Sequence, residues 1–361
     1  MRKYLSRFAR IALLITALAL LVYLAAIRYT PLADILNSTV SVAVRFVLSS
    51  VTYLLPFSFF ECLLLFSPVL LILIVWLLVR RADDRAAMIR GATSFVAVIG
   101  IIFTAYIFTL GIGYRTTPLA DRVGIVDDPD ISREELYSTT LALIDGINKE
   151  LPYITAENGA TIMPYSEDEM SKKLIRAYDL MNGEYSLLTN FTSRVKPVYF
   201  STVMSDLGIT GIYSFFTGEA NVNIEYPDYY LPFTAAHELA HQRGISRENE
   251  ANFVAFLVCI ASDDAYIRYS AYLNMYEYIS YSLYQVDREL YYETLKLLPD
   301  VATSDIDAAY DVYREHKDSP LGKINNKLND LYLKANGTEG VVSYNYVVRL
   351  TVGYYQKQNN R

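Results

Sequence analysis

Three stretches of this 361-residue chain are apolar almost without interruption: residues 11–27, 57–79 and 91–113. Each is long enough, or nearly so, to cross a hydrocarbon core of about 30 Å as a helix. From about residue 116 the pattern changes, and apolar positions recur at spacings of three and four, as in amphipathic helices. Ser132-x-x-Glu135 and Ser166-x-x-Glu169 read as capping boxes that open two of them. Between Val195 and Tyr226 the runs Pro197–Phe200, Gly211–Phe216 and Ala220–Ile224 are β-prone and bounded by glycines, which predicts a small sheet. After Asp263 the helical spacing returns, carried by Tyr266, Tyr269, Tyr272 and Tyr276. The pattern predicts an α-helical transmembrane anchor over residues 1–115 and a mostly α (α+β) domain over residues 116–361, with a small sheet inside the second.

Basic residues orient the anchor. Arg2, Lys3, Arg7 and Arg10 precede the first apolar run, and Arg80, Arg81, Arg85 and Arg90 lie between the second and third. The intervening loop from Tyr29 to Pro56 holds only Arg45. The positive-inside rule then places the N-terminus and the Arg80–Arg90 loop in the cytoplasm and the C-terminal domain outside it, in a multi-pass cell-membrane protein. The first run is long for the core of a signal peptide, and Ala25-Ala26-Ile27-Arg28 is a poor cleavage site, so it reads as a retained anchor. A short repeat, Arg28–Asp34 and Arg115–Asp121, follows the first and third runs with one position changed, and its proline predicts a helix stop at each exit.

Residues 1–115 hold eleven Lys or Arg against four Asp or Glu, so a chain of net charge −7 leaves −14 to the remainder. An acidic outer domain disfavours nucleic acid as a partner. The apolar runs make the lipid bilayer an expected partner. Cys62 and Cys259 imply no disulfide framework.

Histidine is scarce: there are three, and two stand four apart in His237-Glu238-Leu239-Ala240-His241. On a helix, positions i and i+4 share a face, so both imidazoles converge on a point that can hold Zn²⁺. Glu238 is placed to act on a water at that metal as general base. Pro232 suits the first turn of this helix and Gly244 its end. A second helix is expected from an N-cap at Ser246 through Cys259, and its first turn carries Glu248 and Glu250. A third ligand is needed, and with no histidine nearby it should be one of these two. They lie about 200° apart on a helix, so only one can face the ion. Glu248 shares a face with Asn252, which suits a ligand and an outer residue that hydrogen-bonds a ligand histidine, so Glu248 is favoured and Glu250 is the alternative. His316 lies in the charged run Tyr313–Lys317 and reads as a solvated helix face.

HELAH followed by Glu248-x-x-Ala251-Asn252 resembles the zincin metallopeptidases of the glutamate-ligand type. Asn252 stands where that family more often has Asp, and the third histidine of a metzincin would fall on Arg247. With Thr217–Asn223, Leu231–Thr234 and Gly340–Tyr344, nearly the whole chain resembles an uncharacterised family of bacterial membrane proteins, a membrane-anchored zincin in outline. The resemblance implies a zincin-like fold, a zinc ion held by His237, His241 and Glu248, hydrolysis of peptide bonds in a peptide or protein substrate through a zinc-bound water, and a role for Tyr344 as oxyanion donor. In zincins a sheet edge lies along the cleft, and the stretch from Gly211 to Asn223 is expected to supply it. Two other readings stay open: a non-catalytic zincin-fold sensor or scaffold, and a metal-dependent amidase acting on cell-wall material.

Overall fold

The computed structural model describes residues 4–80, 84–337 and 345–359. The chain divides into two units, Met1–Thr116 with Ser214–Glu219, and Thr117–Tyr213 with Ala220–Arg361. Ser214–Glu219, although distant in sequence, belongs with the N-terminal unit.

In that unit Ser6 caps α1 (Arg7–Arg28) by accepting from Ala9 N–H at 2.9 Å. A kink at Tyr29 leads into α2 (Thr30–Leu36), a π-helical turn (Asn37–Ser41) and α3 (Val42–Tyr53). Next come α4 (Phe59–Val79) and, capped by Asp84, α5 (Arg85–Tyr106), which continues into a second π-helical turn (Ile107–Gly111). Among the described residues four stretches are long and apolar enough to cross a membrane: Arg7–Arg28, Thr30–Tyr53, Phe59–Leu77 and Arg85–Gly111. Three correspond to the predicted runs. The fourth occupies the segment predicted as a loop. Its apolar positions are broken by Ser41, Arg45, Ser49 and Thr52, so it never forms a continuous run, yet all four lie on one helical face and are buried.

α1 and α5 run parallel. Ser6 Oγ lies 3.0 Å from Ser94 Oγ, Thr16 Oγ1 3.4 Å from Thr104 Oγ1, and Arg115 Nη2 donates to Tyr23 OH at 3.3 Å. Gly100 permits the approach, since a Cβ there would stand 2.6 Å from Thr16 Oγ1. Arg45 is buried and donates to Asn37 Oδ1 (3.0 Å), Asn37 O (2.9 Å), Phe108 O (3.4 Å) and Thr109 O (3.5 Å), tying the two π-helical turns together. Such turns widen the backbone and free carbonyls for this kind of contact. Pro31 lies in the first turn of α2, and Pro118 occupies the N-cap position of α6 (Leu119–Val123), so the repeated prolines start helices here rather than only ending them.

The second unit surrounds one large core. Ser132 and Glu135 form the reciprocal cap of α7 (Arg133–Glu150). A small hairpin, β1 (Ala156–Glu157) and β2 (Ala160–Thr161), precedes α8 (Glu167–Tyr185), which Ser166 caps. β3 (Val195–Val198), α9 (Ser201–Asp206), β4 (Gly211–Ser214) and β5 (Glu219–Asn223) follow, and the sheet order is β3-β5-β4, with β3 parallel to β5. Only the β4 part of the stretch expected at the sheet edge is there. β5 is central and wholly buried. The remaining helices are α10 (Tyr230–Gln242), α11 (Glu248–Ile260), α12 (Ala265–Val286), α13 (Arg288–Leu295), α14 (Asp300–His316), α15 (Pro320–Ala335) and α16 (Asn345–Asn359). α12 lies against α7 at Gly146, where a Cβ would meet the Tyr272 ring at 2.7 Å. His316 is not on a solvated face: its side chain is 9% exposed and its Nδ1 lies 2.9 Å from Asp206 Oδ1, holding α14 to α9. The charged run around it hides this, because its neighbours in sequence point elsewhere.

Candidate metal centre

α10 is short because both ends are fixed locally. Pro232 sits in its first turn, where a missing N–H costs nothing, and Gly244 takes φ +102°, a left-handed backbone that glycine adopts without strain. This turn returns Ile245 N–H to Ala240 O at 3.0 Å and brings Ile245 O to within 2.7 Å of His241 Nδ1. α11 then starts at Glu248, with Arg247 rather than Ser246 at the N-cap and no side-chain cap bond. Ser246, one residue earlier, is buried.

Across the α10–α11 turn three side chains meet. His237 Nε2 and His241 Nε2 are 3.0 Å apart, and Glu248 Oε2 lies 3.2 Å from the first and 3.5 Å from the second. His237 Nδ1 faces Asn252 Oδ1 at 2.7 Å, while His241 Nδ1 faces Ile245 O. In the neutral tautomer with the proton on Nδ1, which suits Ile245 O and Asn252 Oδ1, each ring turns its Nε2 lone pair toward the other and toward a carboxylate. Three electron-rich atoms in such a triangle repel unless a positive charge stands among them. Ligand atoms about 2.05 Å from a tetrahedral Zn²⁺ are roughly 3.3 Å apart, which is the triangle seen here. The donor set fits zinc.

The electrostatics agree. Burial works against a charged His241, yet the charge and hydrogen bond of Glu248 outweigh it and raise the imidazole to about 9. Burial likewise pushes Glu248 up, but His241 and His237 hold it far below the usual carboxylate range. Both shifts come from opposite charges meeting across the turn.

Glu250 points away. It is buried, and its Oε1 accepts from Leu119 N–H and Arg247 Nη1, each at 2.9 Å. The 200° between it and Glu248 is what separates the two roles. Tyr344 lies outside the described residues. Glu238 is buried beside the cluster, and burial raises its carboxyl; His237 and His241 lower it, Glu248 raises it, and a hydrogen bond from Tyr213 N–H lowers it. A Cβ on Gly211 would stand 2.6 Å from Glu238 Oε1 and 2.7 Å from Thr234 Cγ2. β4 is thus pressed onto the face of α10 that carries Glu238, at the edge of the sheet.

Two supporting groups are invisible to motif spacing. Ile245 contributes only a carbonyl, for which Gly244 is the one sequence signal. Arg243 is buried between the Tyr178 and Phe191 rings, 4.4 and 5.0 Å from their centroids. It donates to Asn190 Oδ1 (2.7 Å) and Phe191 O (2.9 Å), and Tyr178 OH donates to Ala236 O (2.7 Å). These contacts lock the segment before β3 and α8 onto α10.

The family described as Protein of unknown function (DUF3810) matches residues 38–352, and the chain belongs to it. No curated protein and no solved structure matches the chain. That family description assigns no activity.

Proposed function

From membership in a family without an assigned activity and a His-His-Glu cluster of zinc dimensions, we propose that the protein is a membrane-anchored zinc metallopeptidase. The observation that carries this reading is the triangle of His237 Nε2, His241 Nε2 and Glu248 Oε2, brought to 3.0–3.5 Å with the Nδ1 of each imidazole facing an oxygen. His237, His241 and Glu248 would hold the ion, and Asn252 and Ile245 O fix the two ring orientations. A zinc ion bound there supplies Lewis acidity, polarising a carbonyl and acidifying water.

The chain's own groups do the rest. Glu238 accepts a proton from the attacking water as its oxygen bonds to the scissile carbonyl carbon, then delivers that proton to the amine nitrogen as the C–N bond breaks. Its burial and raised carboxyl suit a group that both takes and returns a proton. β4 presents an edge beside Glu238, where an extended peptide can add as a further strand. That edge favours a peptide over a compact cell-wall amide, and retention of Glu238 favours catalysis over a purely binding role.

Arg7, Arg10, Arg85 and Arg90 lie toward the end of the membrane unit marked by Ser6 and Ser94, and the sequence holds eight Lys or Arg over residues 2–10 and 80–90. We therefore place the catalytic domain outside the cytoplasm of a bacterial cell. A peptide library incubated with the full-length protein in detergent tests the activity: cleavage that disappears in Glu238→Gln while zinc stays bound is expected. Equal cleavage by Glu238→Gln and the unaltered protein overturns the mechanism.

A further inference from the structure

α1 and α5 report how many times the chain crosses. Their contacts keep a nearly constant offset, Ser6 with Ser94, Thr16 with Thr104, Tyr23 with Arg115, so the two helices point the same way. If all four apolar stretches crossed in turn, the first and fourth would point in opposite directions. One of the two stretches between them does not cross.

α4 does. Its first turn is held by Glu219, which accepts from Phe59 N–H at 2.9 Å and Phe60 N–H at 2.8 Å, and the same tip takes the Thr109 hydroxyl on Phe215 O at 3.0 Å. α4 thus begins beside the last turn of α5 and ends a few residues before α5 starts. Thr30–Tyr53 behaves differently. Ala33 packs with Ala26 and Ile112, Arg45 bonds Phe108 O and Thr109 O, and Thr52 Oγ1 donates to Thr217 O at 3.4 Å. Its beginning, middle and end all meet the end where α1 and α5 finish.

Its two faces are the reverse of a water-exposed helix. Ser41, Arg45, Ser49 and Thr52 are turned inward and buried, while Val47, Val51 and Leu54, at i, i+4 and i+7, are 59, 64 and 80% exposed. An outward apolar face over an inward polar one calls for an apolar medium outside. We infer that Thr30–Tyr53 does not cross the bilayer but lies in its boundary layer, with lipid as the partner of the Val47–Leu54 face, so that the chain crosses three times. The inference is independent of the zinc centre.

Depth measurements on the full-length chain in phosphatidylcholine vesicles test it. Spin labels are placed singly at Ile35, Val40, Val47 and Val51 in a Cys62→Ala, Cys259→Ala background, and depth is read from oxygen against nickel-chelate collisions. A crossing helix descends roughly 24 Å between positions 35 and 51 at 1.5 Å per residue. All four labels within the outer third of one leaflet is the expected result. A steady descent through the bilayer centre overturns it. A second readout needs no probe within the helix: single cysteines at Tyr4, Leu54, Asp84 and Val126 are challenged with an impermeant thiol reagent before and after membrane disruption. Tyr4 and Asp84 on one side, with Leu54 and Val126 on the other, supports three crossings. Leu54 on the side of Tyr4 contradicts them.

Discussion

Gly211→Ala is a small change at a place with no room for it. The added Cβ would stand 2.6 Å from Glu238 Oε1, 2.8 Å from Glu238 Cγ and 2.7 Å from Thr234 Cγ2. Thr234 and Glu238 are i and i+4 on α10, so the methyl group pushes β4 away from a whole helix face and not from one flexible tip. Restoring a contact of about 3.4 Å requires a displacement of roughly 0.8 Å, divided between the strand and the carboxylate. Overpacking of this kind costs about 1–3 kcal/mol of stability, and displacing a catalytic group by about 1 Å costs on the order of 10²-fold in rate. The nearest atoms belong to Glu238 and Thr234 and not to His237, His241 or Glu248, so metal content should be unchanged. Turnover of a cleaved library peptide, zinc content and melting temperature, measured side by side, separate these effects. The expected variant is folded, zinc-loaded and about 10²-fold slower. A folded variant that turns over at the original rate would refute the claim that β4 sets the position of Glu238.

Glu248→Ala should weaken zinc binding far more than Glu250→Ala, with Asn252→Ala between them at about 10–100-fold, by titration against a competing chelator; greater metal loss in Glu250→Ala would contradict the assignment. Arg243→Met should lower the melting temperature by about 10 °C, because Phe191 O and Asn190 Oδ1 lose a buried donor worth about 3 kcal/mol, and an unchanged melt would deny Arg243 its anchoring role. Glu277, hydrogen-bonded to Tyr229 OH at 3.1 Å, is pushed up to about 7 by burial, with that bond pulling the other way. The folded state then binds a proton that the unfolded state has lost above an ordinary value of 4.5, so stability falls as pH rises from about 4.5 to 7, by about 3 kcal/mol at most. Glu277→Gln should flatten that loss between pH 5 and 8 in thermal melts; parallel curves for the two proteins would show that Glu277 is not its source.

Helical spacing made the centre legible, since i, i+4 brings His237 and His241 together and the 200° between Glu248 and Glu250 lets only one join them. The capping residues Ser132, Ser166, Pro232 and Gly244 were readable for the same reason: their effects are local in sequence. Thr30–Tyr53 was hidden because its polar residues face inward, so a search for unbroken apolar runs passes over it. β5 lies at the centre of the sheet, whereas local propensity gives strands but not their order. The approach of Gly211 to Glu238, 27 positions apart, and the pairing of His316 with Asp206 are tertiary facts that no spacing rule contains.

Zinc stoichiometry decides whether the His237–His241–Glu248 triangle is a metal centre. Full-length protein, purified without chelator and equilibrated with stoichiometric Zn²⁺, is passed through a desalting column and its metal measured by mass spectrometry, together with His237→Ala, His241→Ala and Glu238→Gln. About one zinc per chain in the unaltered protein and in Glu238→Gln, with loss in both histidine variants, is the expected result. A folded, unaltered protein that retains no zinc, or histidine variants that retain it undiminished, would contradict the metal centre and the peptidase reading built on it.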